Sequence, residues 1–270
     1  MSYVLVIAAI YLAFALAEIA GRRFLQPHAT DHDWRVDLVS GAAMPGLILP
    51  AIVFVVGLGF DSFAPHARGA LSDLPVWAWV GLFLIFDDLT QYAWHRLSHS
   101  HATFFAFHRA HHEARYMSVR IVYRNNLFYY ALMPGLWLSA VLVVLGGGHV
   151  YFFYAIIKMA VIIGAHSSVR WDAPLYRHRA LAPLAWVVER VISTPATHSA
   201  HHGLSADDGV THYAGNYGNL LFLWDVLFGT AKITRRYPEA YGIERLAPAA
   251  WTVQLFHPLL PLPKRRGAPR

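Results

Sequence analysis

Residues 95–113 read "HRLSHSHATFFAFHRAHHE", six histidines in nineteen positions of a chain that is otherwise 56% hydrophobic. Their spacing follows helix geometry. His95 and His99 stand one turn apart, and His108, His111 and His112 occupy positions i, i+3 and i+4 on one side of a helix. The same HxxHH spacing returns at His198, His201 and His202 in "TPATHSAHHG", residues 194–203. On spacing alone, the three ring nitrogens of each triplet converge on a metal centre, and the HxxxH pair can reach one ion. His166 stands alone at the end of an apolar segment. His101 falls off the HxxxH face and reads as a surface residue. His28, His32, His66, His149 and His257 have no partner at helical spacing and read as ordinary interfacial or core histidines.

The chain has no cysteine, which removes disulfides, thiolate metal sites and thiol nucleophiles together. Any metal is therefore held by nitrogen and oxygen. Eight or nine histidines exceed what one ion takes from protein, so the pattern implies two metals. Imidazole suits iron, zinc, copper and nickel about equally and does not name the metal.

A mean hydropathy of +0.37 with 14% charged residues is too apolar for a soluble domain of 270 residues. Spanning a bilayer takes ~20 apolar residues as a helix, and candidate segments fall at 2–20, 38–60, 76–94, 127–146 and 149–165. The first lacks a basic start and a small-residue cleavage site and runs straight into Arg22 and Arg23, so it reads as a retained anchor. With those arginines inside, threading leaves only Arg68 outside and Lys158 within a span. Every other Lys and Arg lies inside, as the positive-inside rule requires. The net charge of +6 is thus a topology signal and implies no nucleic acid partner.

The expected fold is all-α: an integral-membrane bundle of four to five apolar helices with a cytoplasmic helical cap carrying the histidines. The fourth and fifth segments form a hairpin whose ends return to the histidine side. The chain reads as one domain, 1–270, with N-terminal transmembrane helices over 1–75 and a disordered basic tail over 258–270 near anionic headgroups. The expected location is a bacterial inner membrane with the site on the cytoplasmic side. Asp88, Tyr92, His95 and His99 share one helical face at spacings of 4, 3 and 4.

The segments "DDLTQYAWHRLSH" (87–99), "FHRAHHE" (107–113), "TPATHSAHHG" and "NYGNLLFLWDVLFGT" (216–230) resemble the fatty acid hydroxylase superfamily, or sterol desaturase family. Its members are integral-membrane non-haem di-iron oxygenases. The similarity covers 77–232 and looks nearest to the bacterial alkylglycerol monooxygenase-like branch. It implies that His95, His99, His108, His111, His112, His198, His201 and His202 ligate two irons, with His166 matching a further family histidine. Asp88 and Asp225 occupy the family's two acidic positions. A physical role open to both is to accept the second ring N–H of a ligating imidazole, which fixes its tautomer. Ser100 departs from the glutamate that the alkylglycerol branch carries after the first box, which counts against a carboxylate ligand there and against pterin-dependent ether cleavage.

The activity implied is dioxygen-dependent hydroxylation or desaturation of a C–H bond on a membrane lipid such as a fatty acyl, sterol-like or ether or amino lipid. Nothing in it resembles a GxGxxG or haem-binding segment, so the electrons are expected from a separate reductase, ferredoxin or cytochrome. The residue types also permit a di-zinc hydrolase of lipid esters and, less well, a metal transporter. Zinc can also enter by mismetallation. The aromatic runs "ATFFAF" and "NNLFYYAL" suit either an acyl channel or interfacial anchoring.

Overall fold

A computed structural model describes residues 3–26, 32–244, 246 and 249–262. His28 and residues 263–270 of the basic tail lie outside the described residues. The described residues form helices and loops with isolated β-bridges only, the all-α class expected.

Helix α1 is Tyr3–Ala20 and α2 is Asp33–Phe63, which passes through a wide turn at Met44–Ile48. Helix α3 runs unbroken through Val76–Phe83, Leu84–Leu89 and Thr90–Ser100. Helix α4 is Ala102–His112, α5 Leu127–Ala131, α6 Pro134–Leu142 and α7 Gly148–His166. Then come α8 (Ala173–Arg177), α9 (Ala182–Val191), α10 (Pro195–His201), α11 (Leu223–Leu227) and α12 (Trp251–Phe256).

Three stretches, Tyr3–Ala20, Asp33–Phe63 and Pro134–His166, are long and apolar enough to cross a membrane. Little of each is buried, and Leu12, Phe54, Leu58, Phe153 and Ile157 point outward, as a lipid-facing surface does. The third stretch is not one straight rod. Gly146 has φ 124°, and a Cβ there would lie 2.6 Å from the Ser72 hydroxyl, so only glycine makes this reversal. The turn is held by Gly69 N–H to Val144 O and Leu71 N–H to Leu145 O. Both arms then return to the histidines. Tyr129, just ahead of α6, stacks on His108, and His166 ends α7 against His198.

The 76–94 segment forms the first part of α3, but its apolar run ends at Asp87 and Asp88, both buried. Lys158 is not a lone charge in the bundle, because its ammonium donates to both Asp87 oxygens at 2.7 Å. Pairing removes the cost of an isolated charge among apolar helices.

Beside the histidines lies a buried polar knot. The Arg124 guanidinium is fully buried and bonds Asp33 and Asp37 at 2.9 Å, Gln254 at 3.0 Å and the Ala110 carbonyl at 2.7 Å. It fastens α2, α4 and α12 to one loop. Arg124→Met should lower folding stability by about 3–5 kcal/mol, because two carboxylates brought out of water lose the guanidinium they share, Asp37 retaining Arg120 at 2.7 Å. Denaturant melts of the solubilised chain test this, and a loss under about 1 kcal/mol would count against the knot.

Glu18, on α1, is also buried and accepts from Ser118 and Val119 on one loop and from Ser167 and Ser168 on another. It ties the two loops beside His111 and His166 to the first spanning helix.

Candidate metal centre

The histidines arrive from four elements. Helix α3 carries His95 and His99, α4 carries His108, His111 and His112, and α7 ends on His166. Helix α10 carries His198 and His201, with His202 as its C-terminal cap. Helix α10 begins in a capping box, Thr194 and Thr197 satisfying each other's backbone N–H groups. Gly203 follows at a close approach, where a Cβ would fall 1.9 Å from the Thr211 hydroxyl.

Nine rings assemble into two groups, within each of which the ligand atoms lie no more than 4.8 Å apart. The first holds His95, His99, His108, His112 and His201; the second holds His111, His166, His198 and His202. This overturns the expectation that each HxxHH triplet serves one centre. In α4 the i and i+4 rings go to the first group and i+3 to the second; in α10 the assignment is reversed. The triplets lie across the gap between the groups, so each helix supplies both.

Most rings are oriented through the nitrogen that faces away. Nδ1 of His95 meets the Tyr217 carbonyl at 2.7 Å, and Nδ1 of His201 the Gly215 carbonyl at 2.8 Å. His111 bonds the Arg124 carbonyl at 3.0 Å and His166 the Ile162 carbonyl at 2.8 Å. His108 bonds Asn125 Oδ1 at 2.9 Å, and that amide is fixed by its own N–H bond to the Tyr130 hydroxyl. A carbonyl accepts only, so each of these Nδ1 atoms carries the hydrogen and each Nε2 presents a lone pair.

For His95 and His201 that lone pair meets no protein donor. Nε2 of His95, His99 and His201 is buried without a hydrogen-bond partner. His166 and His111, both donating through Nδ1, hold their Nε2 atoms 3.4 Å apart, and His166 and His198 bring theirs to 2.9 Å. The facing lone pairs of His111 and His166 repel unless a cation lies between them. Two nitrogens on one ion at about 2.0–2.1 Å stand about 3.0–3.4 Å apart, so the donor set fits metal.

Protonation does not supply the cation. Burial, reinforced by the neighbouring rings, holds His108, His111, His112, His198, His201 and His202 well below the ordinary imidazole value. Neutral rings are the ligating form.

Asp88 and Asp225 do not accept from an imidazole, contrary to expectation. Asp88 takes the Leu220 and Leu221 N–H groups and the Trp224 indole N–H, the last at 2.7 Å. Asp225 takes Tyr217 N–H at 2.9 Å, Gly218 N–H at 2.6 Å and the Thr230 hydroxyl at 2.6 Å. Burial pushes the Asp225 carboxyl upward while those three donors oppose it. Both carboxylates pin the 215–225 loop whose carbonyls orient His95 and His201, so they are positioning residues. Asp225→Asn should weaken metal retention in the first group about 10–100-fold while sparing the second, read by metal counts after graded chelation. Equal loss from both groups would contradict that role.

His101 is exposed, as expected, and His32, His66 and His149 are exposed rather than core; all four stand outside both groups. Ser100 is exposed with its hydroxyl turned back to the Arg96 carbonyl. Within "NNLFYYAL", Asn125 holds His108, and the Tyr129 ring stacks on it at 4.6 Å. Sequence reasoning missed Arg124, Asn125 and Glu18. Their signal was charge or amide set among apolar residues. The backbone acceptors at Gly215 and Tyr217 carry no such signal.

The model of the fatty acid hydroxylase family matches residues 80–230, which contain all nine grouped histidines and both acids. The chain belongs to the fatty acid hydroxylase family. Among its relatives, the ornithine lipid hydroxylase OlsE of Rhizobium tropici is 28% identical over 193 residues, covering 70% of this chain and 52% of that protein. Alkylglycerol monooxygenase of Danio rerio is 24% identical over 217 residues, 76% of this chain and 42% of its own. The chain thus spans about half the length of the curated relatives it matches. No solved structure matches it. In this fatty acid hydroxylase family member, the two histidine groups lie at the end of the apolar stretch that finishes at His166.

Proposed function

We propose that this chain is a membrane lipid hydroxylase whose nine grouped histidines hold two iron ions. The observation that carries the reading is the pair of buried imidazole groups, five rings and four, with ligand atoms no more than 4.8 Å apart and unpartnered nitrogens on three rings of the first. Iron held there would supply dioxygen activation for attack on an unactivated C–H bond, with two electrons drawn from a separate donor. The protein's own part is placement. Tyr217, Gly215, Arg124 and Ile162 carbonyls fix the rings, and Asp88 and Asp225 fix the loop that carries two of those carbonyls. Apolar packing keeps bulk water from the rings, and His99, the one ring less than fully buried, marks the more open side of the first group.

The relatives act on an ornithine lipid and an alkylglycerol by name. A lipid with a polar or ether-bearing headgroup region is the substrate class we favour, worked on at the cytoplasmic face of a bacterial inner membrane. The test is metal analysis of anaerobically purified full chain with dioxygen uptake on adding reductant and lipid extract. About two irons per chain and lipid-dependent uptake are expected. Stoichiometric zinc with ester hydrolysis that needs no dioxygen would overturn the reading in favour of a di-zinc hydrolase.

A further inference from the structure

A cavity of about 130 Å³ lies between the spanning helices on the membrane side of the histidines. Its walls include Met44, Tyr130 and Ile162. Tyr130 supports Asn125 behind His108, and the Ile162 carbonyl supports His166, so the cavity abuts the supports of both groups. Among its aliphatic and tyrosine side chains the lining carries Asp87, Gln91 and Lys158. Asp87, Gln91, His95 and His99 follow at four-residue steps along α3, about 6 Å of rise apiece, so the polar patch sits one to two turns from the first ring.

Two hydrogen-bonding capacities in that patch are unused. Gln91 Oε1 is buried with no partner. The Lys158 ammonium spends two of its three N–H bonds on Asp87 and finds no third acceptor among the described residues. An orphaned acceptor and a spare donor among apolar helices both cost stability. A saturated chain would satisfy neither. A group that both donates and accepts would satisfy both at once.

We propose that this cavity receives a lipid segment bearing a secondary amide or a hydroxyl, which donates to Gln91 and accepts from Lys158. A lipid amide and a chain hydroxyl share this chemistry; an unsubstituted acyl chain lacks it. The inference rests on the hydroxylase reading only in taking that lipid for the substrate, since the binding itself needs neither iron nor dioxygen.

The test uses the full chain in nanodiscs without reductant, with thermal melts as the readout. Three probes are compared: a long-chain secondary amide, an alcohol with its hydroxyl mid-chain, and the hydrocarbon of the same carbon number. Stabilisation by the amide, the alcohol or both above the hydrocarbon supports the proposal and identifies the source. Equal effects of all three, or none from any, overturn it. Gln91→Leu should weaken binding of the preferred probe about tenfold and raise the melting temperature of the ligand-free protein, because an unsatisfied acceptor is gone. A structural role would lower that temperature and leave the preference intact, which would also overturn the proposal. Gln91→Met provides the same comparison if the leucine variant does not fold. Probe preference without dioxygen-dependent turnover would refute the hydroxylase reading and leave the cavity assignment standing; turnover without preference would do the reverse.

Discussion

His201→Ala and His111→Ala should each abolish turnover, a loss of at least about 100-fold, yet strip different metals. His201 stands with His95, His99, His108 and His112, whereas His111 stands with His166, His198 and His202. Metal content should fall from about two per chain to about one in either variant. The sharper comparison pairs variants by group. His108→Ala with His112→Ala should spare the second metal, and His198→Ala with His202→Ala should spare the first. Loss of both metals from each double variant would refute the division. His149→Ala, on the exposed far end of the hairpin, should leave metal content and turnover unchanged.

Metal-free protein should lose stability steeply as pH falls below about 6.5. The six grouped rings outside the spanning helices have their proton affinity depressed in the folded state, first by burial and then by neighbouring imidazoles. An unfolded chain binds those protons near pH 6.5 and the folded one does not, so stability rises with pH through this window. It is fully present above the unfolded value and lost below it. Each ring contributes up to about 1.4 kcal/mol per pH unit there, and several together exceed the stability of an ordinary domain. Chelated protein melted at pH 7.5, 6.5 and 5.5 should show a falling transition, and bound metal should shift the loss to lower pH. A melting temperature that is flat across that range would mean the folded rings are protonated or hydrated.

The helix-spaced histidines, the absence of thiol ligands and the apolar segments are local properties, and the sequence carried them. Periodicity of 3.6 residues shows which side chains share a helix face, and hydropathy shows which helices suit lipid. The hairpin was visible because "GGGH" is too short to separate two spans, and Gly146 makes that reversal. Lys158 was visible as a deep charge, but its partner was not, since Asp87 is 71 residues distant.

What the amino-acid sequence by itself determined was an all-α membrane chain with two repeated triplets and a pair of histidines, enough for two metals. Only the tertiary structure decided how the rings are shared, and it divided each triplet rather than keeping it whole. Spacing along one helix fixes a common face, but the rotation of α4 against α10 decides which centre each ring meets. Tertiary packing likewise turned Asp88 and Asp225 from direct imidazole acceptors into anchors of a loop. Four of the five acceptors that orient rings are backbone carbonyls, which every residue has, so no residue type could announce them.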